Sequence, residues 1–557
     1  MYQKIFSTII FAFIFSINTN AQLLAAKPVL THEDTLRGSN GEFRKNWDVL
    51  QYNITVKPDF NTKTIAGNCN MKFYDNGATK MQIDLQEPMV LDSAKDETGK
   101  SYSFTREKNV YWLEYRNMFS KMKIMPGIKS ITLFFHGKPK EAKRAPWDGG
   151  WIWKKDKFNN PWMSVACQGL GASVWYPCKD IQSDKPDSGA ILQIIVPDSL
   201  VAVGNGRMTN KKILGDGNTK YTWQVKNSIN NYCIIPYIGK YVNFGEKYAG
   251  LKGNLDMNYW VMDYNLEKAK KQFTDAPKMM KAFEYWFGAY PFYEDGYQLV
   301  DAPHLGMEHQ SATAYGNGYK MGYAGSDLSG TGIGLLWDFI IIHESGHEWF
   351  ANNVCTSDIA DMWVHEGFTC YSETLFTEYY YGKDSALIYL KGLRKNIQND
   401  ENIIGPYGVN KEGSGDMYYK GANMLHTIRQ MANNDELFRA MLIEINSKYH
   451  LKTVTTQEIE DYMSQKLKLN LTGVFNQYLR STTIPELEYK IEKKKLLYKW
   501  KNAVANLNMP IKIKISGKEN MITPTNEWQN IKVKKNVVMS EITFDDNYYI
   551  LKNILSK

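Results

Sequence analysis

The segment HESGHEWF, residues 343–350, decides the fold and the chemistry that this sequence predicts. His343 and His347 are four residues apart, so on a helix both imidazole rings project from one face, one turn apart. This spacing suits two ligands of a single tetrahedral Zn²⁺, and Glu344 beside them can take a proton from water. The preceding LLWDFIII, residues 335–342, is almost entirely apolar. We therefore predict a buried helix with metal ligands, the alternative being two ordinary core or surface histidines.

A third ligand follows after an interval of eighteen residues, in the segment WVHEGFTCYSETL, residues 363–375. Glu366, near the start of a second amphipathic helix, would complete a His₂Glu site and leave the fourth position open for water. That arrangement is typical of catalytic zinc, whereas structural sites are closed by four protein ligands. Glu373 shares the helix face of Glu366 and is a candidate acceptor for a ligand histidine N–H, although an ordinary helix carboxylate fits equally well. We predict one Zn²⁺ per chain.

The remaining sequence changes character twice. From about residue 45 the pattern is of strands, rich in β-branched and aromatic residues, which favours a β-sandwich or a large curved sheet. Beyond Tyr241, segments such as 332–353 and 364–382 have helical spacing. After Pro485 short strands return. We predict an α+β multidomain fold with an N-terminal antiparallel β domain, a mainly helical catalytic domain and a small C-terminal β domain. The predicted domains are 22–240, 241–480 and 481–557.

The first twenty-one residues have the layout of a secretory signal peptide. A weakly basic MYQK precedes the apolar run IFSTIIFAFIF, and small and polar residues follow, with a plausible cleavage after Ala21. We expect export to the periplasm or the extracellular space; a buried N-terminal helix or strand is the alternative. No later stretch reaches eighteen consecutive apolar residues, so we expect no membrane span in the mature chain.

Composition excludes two other classes of protein. The chain of 557 residues is 43% hydrophobic, which is too high for a disordered chain, and its net charge is only +8. A nucleic-acid-binding protein would need a concentrated basic patch, and none stands out, so we expect no nucleic-acid partner. The six cysteines are scattered without a CxxC pair, which argues against a structural zinc knuckle. We expect most of them to be free and buried.

Further motifs lie on both sides of the zinc ligands. They are CQGLGASVWYPCKD (167–180), LGMEHQ (305–310), HEWFANNV (347–354) and MYYKGANML (417–425). In this order, and with the W-x-x-E-G-F context of Glu366, they resemble the aminopeptidase N and leukotriene hydrolase family of zinc peptidases, peptidase family M1. The resemblance implies a thermolysin-like catalytic domain of the gluzincin type and the hydrolysis of peptides with a free N-terminus.

The resemblance also implies roles for individual residues. Glu308 matches the glutamate that pairs with the α-ammonium of the substrate, and Gln168 matches the glutamine that assists at the same amine. Gly306 and Met307 would lay a backbone edge along the substrate. Tyr418 matches the tyrosine that donates to the oxyanion, and Glu344 would act as general base. The implied enzyme is a metalloaminopeptidase, a hydrolase in which Glu308 restricts proteolysis to the first peptide bond.

Two positions depart from the family pattern, and three alternatives accompany the prediction. His309 and His365 stand where the family has asparagine, which leaves the pH dependence open; a protonated His309 could compete for Glu308. The chain also has no room for the large helical C-terminal domain of many members, so no basic residue for the substrate carboxylate can be assigned.

A zinc endopeptidase or an epoxide hydrolase would share the same ligands, and a binding protein could keep the fold. The LGMEHQ segment argues against an endopeptidase, and the presence of Glu366 and Tyr418 argues against a binding protein.

Overall fold

A computed structural model describes residues 29–116 and 126–555 of the chain, and the predicted signal peptide lies outside these ranges. Two short helices, α1 (His32–Gly38) and α2 (Glu42–Lys45), precede the first strand. The N-terminal region then forms a set of β-sheets. The eight-stranded sheet has the spatial order Arg207–Ile213, Asn218–Val225, Ala190–Pro197, Trp47–Asp59, Thr64–Asp75, Gly127–Gly137, Val90–Asp96, Ser101–Tyr102.

Two smaller sheets complete this region. The four-stranded sheet has the order Val201–Val203, Tyr237–Gly239, Pro161–Ala166, Gly150–Lys155, and the three-stranded sheet the order Lys80–Asp84, Val110–Glu114, Phe104–Glu107. In the eight-stranded sheet the pair Trp47–Asp59 and Ala190–Pro197 is parallel, whereas the other neighbours are antiparallel. The predicted antiparallel β region is therefore present, with one parallel pair inside it.

A five-stranded sheet opens the catalytic region, where the sequence analysis predicted helices. Its order is Tyr241–Gly250, Gly253–Met262, Tyr297–Asp301, Thr313–Tyr315, Gly306–Met307. The second strand has the period-two burial of a half-buried strand, with Leu255, Met257 and Tyr259 inside. The last two strands have three and two residues, too few for a periodic signal. Gly306–Met307 forms one edge of this sheet.

Eight helices accompany this sheet in the described part of the chain. They are α3 (Leu266–Gln272), α4 (Asp275–Phe287), α5 (Phe339–Gly346), α6 (Trp363–Leu393), α7 (Tyr419–Ala432), α8 (Asp435–Lys448), α9 (Thr456–Leu467) and α10 (Thr472–Leu479). Helix α6 is broken at Gly382, whose φ of 86° lies in the left-handed region. A short parallel pair joins Cys355–Thr356 to Thr453–Val454. In the described residues no helix is both long and apolar enough to cross a membrane.

The C-terminal region consists of two small sheets that share a core with the helices. Their orders are Gln529–Lys532, Lys495–Lys501, Glu486–Glu492, Leu551–Ile554 and Lys518–Ile522, Ile511–Ile515, Ile542–Phe544. The hydroxyl of Tyr478 at the end of α10 donates to the carbonyl of Tyr549 at 2.5 Å. The predicted fold class is confirmed, and all six cysteines are free and buried. The domain boundaries at 240/241 and 480/481 stay predictions.

Candidate active site

Helix α5 carries His343 and is followed directly by His347, and a buried aspartate fixes where this helix begins. Asp338 is its N-cap and accepts a hydrogen bond from the backbone N–H of Ile341 at 3.2 Å. The side chains of Gln272, Tyr315 and Asn317 donate to the same carboxylate at 2.7–2.9 Å. Because the first turn is held by these four bonds, the position of His343, five residues later, is fixed relative to the sheet.

The close approach of α5 and α6 depends on a glycine. A Cβ atom at Gly346 would lie 2.6 Å from the hydroxyl oxygen of Ser372 on α6. His347 follows Gly346 with helical dihedrals (φ −64°, ψ −17°), so its ring stays one turn from that of His343. The sequence prediction that both rings share one helix face is therefore confirmed.

The predicted metal ligands converge on one point. The Nε2 atoms of His343 and His347 lie 3.8 and 3.4 Å from Oε2 of Glu366 on α6. Zinc bonds of about 2.0–2.2 Å in a tetrahedron place ligand atoms roughly 3.3–3.6 Å apart, close to these distances. Among the described residues, Oε2 of Glu366 is buried without a hydrogen-bond partner. A buried acceptor with no donor beside two imidazole nitrogens fits a bound Zn²⁺.

Hydrogen bonds orient both imidazole rings. Nδ1 of His343 lies 2.6 Å from Oε1 of Glu373, whose other oxygen accepts from the hydroxyl of Tyr389 at 2.6 Å. Nδ1 of His347 lies 3.0 Å from the carbonyl oxygen of Phe350. Carboxylate and carbonyl oxygens only accept, so the proton of each neutral ring is on Nδ1 and the Nε2 lone pair points to the metal position. Glu373 thus lies where the sequence analysis placed it, whereas Tyr389 was missed.

Glu344 faces the same cavity without belonging to the His₂Glu group. Removal from bulk water raises the pKa of Glu344 to about 7, against the opposing effect of His343 and His347. A Cβ atom at Gly306 would lie 2.7 Å from Oε1 of Glu344, so the carboxylate occupies the space that a side chain there would need. Gly306 and Met307 pair with Tyr315 and Ala314 on one side only, as expected for a strand edge available to a substrate.

Glu308 is buried, 3% exposed, and is held by two donors on one oxygen. Nε2 of Gln168 donates to its Oε1 at 2.5 Å, and the hydroxyl of Tyr232 donates to the same atom at 3.0 Å. Burial raises the pKa of Glu308. Glu308, Glu344 and His347 also lie close enough to hold a metal. The His₂Glu group fits better, because the Glu308 carboxylate already has two donors whereas Oε2 of Glu366 has none among the described residues.

Tyr418 closes the site from the start of α7. Its ring stacks on that of His343 with centroids 6.1 Å apart and an interplanar angle of 24°. Burial, followed by Glu366 and Glu412, holds the pKa of Tyr418 well above its ordinary value, so the phenol remains a donor. The cavity enclosed by these residues has a volume of about 240 Å³. Glu412, which also lines the cavity, was missed by the sequence analysis.

The two histidines that depart from the family pattern are both neutral. His309 is fully buried, and its Nδ1 lies 2.5 Å from the hydroxyl of Tyr237. Nε2 of His365 accepts from the backbone N–H of Thr356 at 2.9 Å. Burial lowers the pKa of His309 well below its ordinary value and that of His365 to about 3. Neither ring therefore brings a positive charge to Glu308 near neutral pH.

The chain is similar to known peptidases. Residues 272–478 match the model of the peptidase family M1 domain. The chain is 24% identical over 456 residues to leukotriene A-4 hydrolase of Xenopus laevis, covering 76% of this chain and 69% of that protein. It is 22% identical over 332 residues to aminopeptidase B of Mus musculus, covering 56% of this chain and 47% of that protein. The chain thus spans about half the length of aminopeptidase B.

Solved structures share the fold. The M1 zinc metallopeptidase from Deinococcus radiodurans superposes with a TM-score of 0.65 at 17% identity, covering 79% of this chain and 96% of that one. A point mutant of a two-domain M1 zinc metallopeptidase, bound to L-tryptophan, gives a TM-score of 0.66 at 17% identity over the same shares of the two chains. This likeness supports the β region followed by a helical catalytic region.

Proposed function

We propose that this chain is a zinc-dependent aminopeptidase, on the premise that its residues 272–478 are a peptidase family M1 domain. It would release single residues from the N-terminus of peptides. The observation that carries the proposal is the buried Glu308 carboxylate, fixed by Gln168 and Tyr232 beside the zinc ligands. A buried carboxylate needs a cation, and a free α-ammonium supplies one whereas an internal peptide bond does not.

His343, His347 and Glu366 would hold one Zn²⁺ and leave a position open. When bound, the metal polarises a carbonyl group and lowers the pKa of water. Glu344 would take the proton of the attacking water and pass it to the leaving amine. The phenol of Tyr418 would donate to the carbonyl oxygen as negative charge develops there. The edge Gly306–Met307 and the pair of Glu308 and Gln168 would fix the register, so that only the first peptide bond reaches the zinc.

The first test is a four-way comparison of wild type and Glu308→Ala on free and N-acetylated peptide. Removing one partner of a buried ion pair costs about 3–5 kcal/mol. Either change should therefore lower kcat/KM at least about a hundredfold. The two losses should not multiply, because both remove the same pair. Equal cleavage of free and acetylated peptides by the wild type would contradict the aminopeptidase proposal and leave an endopeptidase on the same zinc site.

A second test addresses the chemistry. Glu344→Gln should retain one zinc per chain yet lose activity by several orders of magnitude, because the base is removed and the ligands are kept. Tyr418→Phe should lower kcat more than it raises KM, since its hydrogen bond strengthens in the transition state. Metal analysis and steady-state kinetics check both variants. Undiminished turnover would show that the two roles are misassigned.

Export is a separate part of the proposal. It is supported by the basic start, the apolar run and the small residues before Gln22. N-terminal sequencing of the protein purified from a secreting host should begin at Gln22. Recovery of an uncleaved chain from the cytoplasm would count against export.

A further inference from the structure

The loop of residues 168–171, which carries the glutamine bonded to Glu308, borders three cavities. Gln168 lines both the active-site cavity and a polar cavity of about 50 Å³. Leu170 lines a third cavity of about 320 Å³ on another side of the loop. Leu170 packs against the core of the β region, whereas the exposed Gly169 has no side chain to pack, so hydrogen bonds fix the loop next to Gln168.

Three side chains from outside the loop provide these bonds, the longest of them from Nδ2 of Asn410 to the carbonyl oxygen of Gly169 at 3.4 Å. Nη2 of Arg37 donates to the carbonyl oxygen of Gly169 at 2.9 Å, and Nε2 of Gln86 donates to that of Leu170 at 2.7 Å. Arg37 also lies against the Cα face of Gly171, where a Cβ atom would collide with its guanidinium. The bond from Arg37 is the charged one, and it acts on the residue next to Gln168.

Helix α1, which carries Arg37, is anchored at its C-terminal end. Nη1 of the fully buried Arg44 donates to the carbonyl oxygens of Leu36, Arg37 and Ser39 at 2.8–3.0 Å. Arg44 also pairs with the buried carboxylate of Asp84. These bonds satisfy the last carbonyls of the helix and tie it to the β region.

The same helix also contacts a loop of the catalytic region. The backbone N–H of Asn410 donates to the carbonyl of Asp34 at 3.1 Å, and Gly38 packs directly against Val409. Two residues beyond Asn410, Glu412 lines the active-site cavity. Helix α1 therefore connects the Gln168 loop of the β region to a loop of the catalytic region.

We propose that α1 is a strut that holds Gln168 in place for recognition of the substrate's amine, with Arg37 as the positioning residue. The inference rests on the proposed aminopeptidase function. Arg37 does not line the active-site cavity, and it acts by fixing the carbonyl beside Gln168. Loss of this bond should let the loop leave the position in which the Gln168 amide meets Glu308.

The test is Arg37→Met, which keeps the stem and removes the donors. For peptides with a free N-terminus we expect KM to rise about tenfold with kcat changed less than about twofold, because amine binding weakens and the chemistry is untouched. Arg37→Lys should recover part of the loss, since an ammonium can reach the same carbonyl. Adding Arg37→Met to Gln168→Ala should raise KM no further. Arg106→Met is the matched control, because Arg106 donates to the carbonyls of Met89 and Lys108 in the same region.

Hydrogen exchange gives a readout that does not depend on activity. The amides of residues 168–173 should exchange faster in Arg37→Met than in wild type, with the zinc content and the melting temperature unchanged. Unchanged KM and unchanged exchange in Arg37→Met would contradict the proposed role of α1. Discrimination against acetylated peptides by the wild type would still stand, because it tests the aminopeptidase function separately. A parallel fall in kcat and melting temperature would also contradict the role of α1, because a general loss of structure would then explain the variant.

Discussion

The carboxylate of Glu373 fixes the tautomer of His343, so its removal should weaken zinc binding. One oxygen of Glu373 accepts from the ring N–H of His343, and the other accepts from the hydroxyl of Tyr389. In Glu373→Gln an amide with a single oxygen replaces this carboxylate and cannot accept both bonds. Loss of such a partner typically lowers metal affinity ten- to a hundredfold. Competition with a chelator measures this affinity. Glu378→Gln is the control, because Glu378 lies on the same helix and pairs with Arg429 at 2.6 Å; equal affinities in both variants would contradict the role of Glu373.

At the residue scale, spacing predicted the three metal ligands, and the resemblance to the peptidase family implied that Glu308 and Gln168 would meet the substrate's amine. Glu373 was accessible to the same reasoning because it lies two helical turns from Glu366 on one face. Tyr232 and Glu412 carry no such local signal. Tyr232 is one of 36 tyrosines and reaches Glu308 across 76 residues. Contacts of this kind follow from how distant segments pair, which a single sequence does not display.

The N-cap of α5 is the element-scale feature on which the histidines depend. Asp338→Ala removes the acceptor for Ile341 and leaves the donors of Gln272, Tyr315 and Asn317 buried without this partner. We expect a loss of at least about 2 kcal/mol in the free energy of unfolding and a weaker zinc affinity, since the helix start is no longer held.

A matched control separates the two effects. Asn434 caps α8 through a bond from the Leu437 N–H at 3.0 Å and lies at the start of a helix that carries no predicted ligand. Asn434→Ala should cost about 1 kcal/mol and leave the zinc affinity unchanged. Denaturant unfolding and chelator competition measure both variants. An Asp338→Ala protein with wild-type affinity would show that the cap stabilises the fold alone.

Helix boundaries were predicted less well than helix existence. The segment 332–353 has helical spacing throughout, yet α5 covers only Phe339–Gly346. Asp338 starts the helix late, and Ala351 with a φ of 135° cannot continue one. The apolar pattern of this segment reflects burial, and the turn that follows the helix is buried as well. The pattern therefore continues beyond the end of the helix. In the sheet of the catalytic region the final two strands are too short to show any period, whereas the strand Gly253–Met262 alternates and was missed although it carries this signal.

At the scale of the whole molecule, a buried histidine joins the catalytic region to the C-terminal sheets. Nε2 of His426 on α7 lies 2.8 Å from the side-chain oxygen of Asn547, and Nδ1 lies 3.0 Å from the hydroxyl of Tyr371. Burial lowers the pKa of His426 to about 4. The unfolded chain, with a pKa of about 6.5, binds more protons in this window. The contribution of His426 to stability is therefore complete above pH 6.5 and is lost as the pH falls towards 4.

The loss of stability towards low pH gives a testable expectation. The loss across the window is up to about 3 kcal/mol. His426→Gln cannot be protonated, so its stability should fall less between pH 7 and pH 4.5 than that of the wild type. His136→Gln, at an exposed histidine with 57% of its side chain accessible, is the control. Denaturant midpoints at both pH values measure the stability of each protein. An equal fall in the midpoints of wild type and His426→Gln would show that His426 is not a source of acid sensitivity.

The edge strand Gly306–Met307 has a consequence for which polypeptides the enzyme would meet. An edge strand pairs only with a backbone that is extended and has its own hydrogen-bonding groups free. A chain end wound into a helix or built into a sheet satisfies neither condition. Accessibility of the terminus would then limit which chains are processed. Such an enzyme would act on fragments that other proteases had already released, and intact folded proteins in the same compartment would keep their ends.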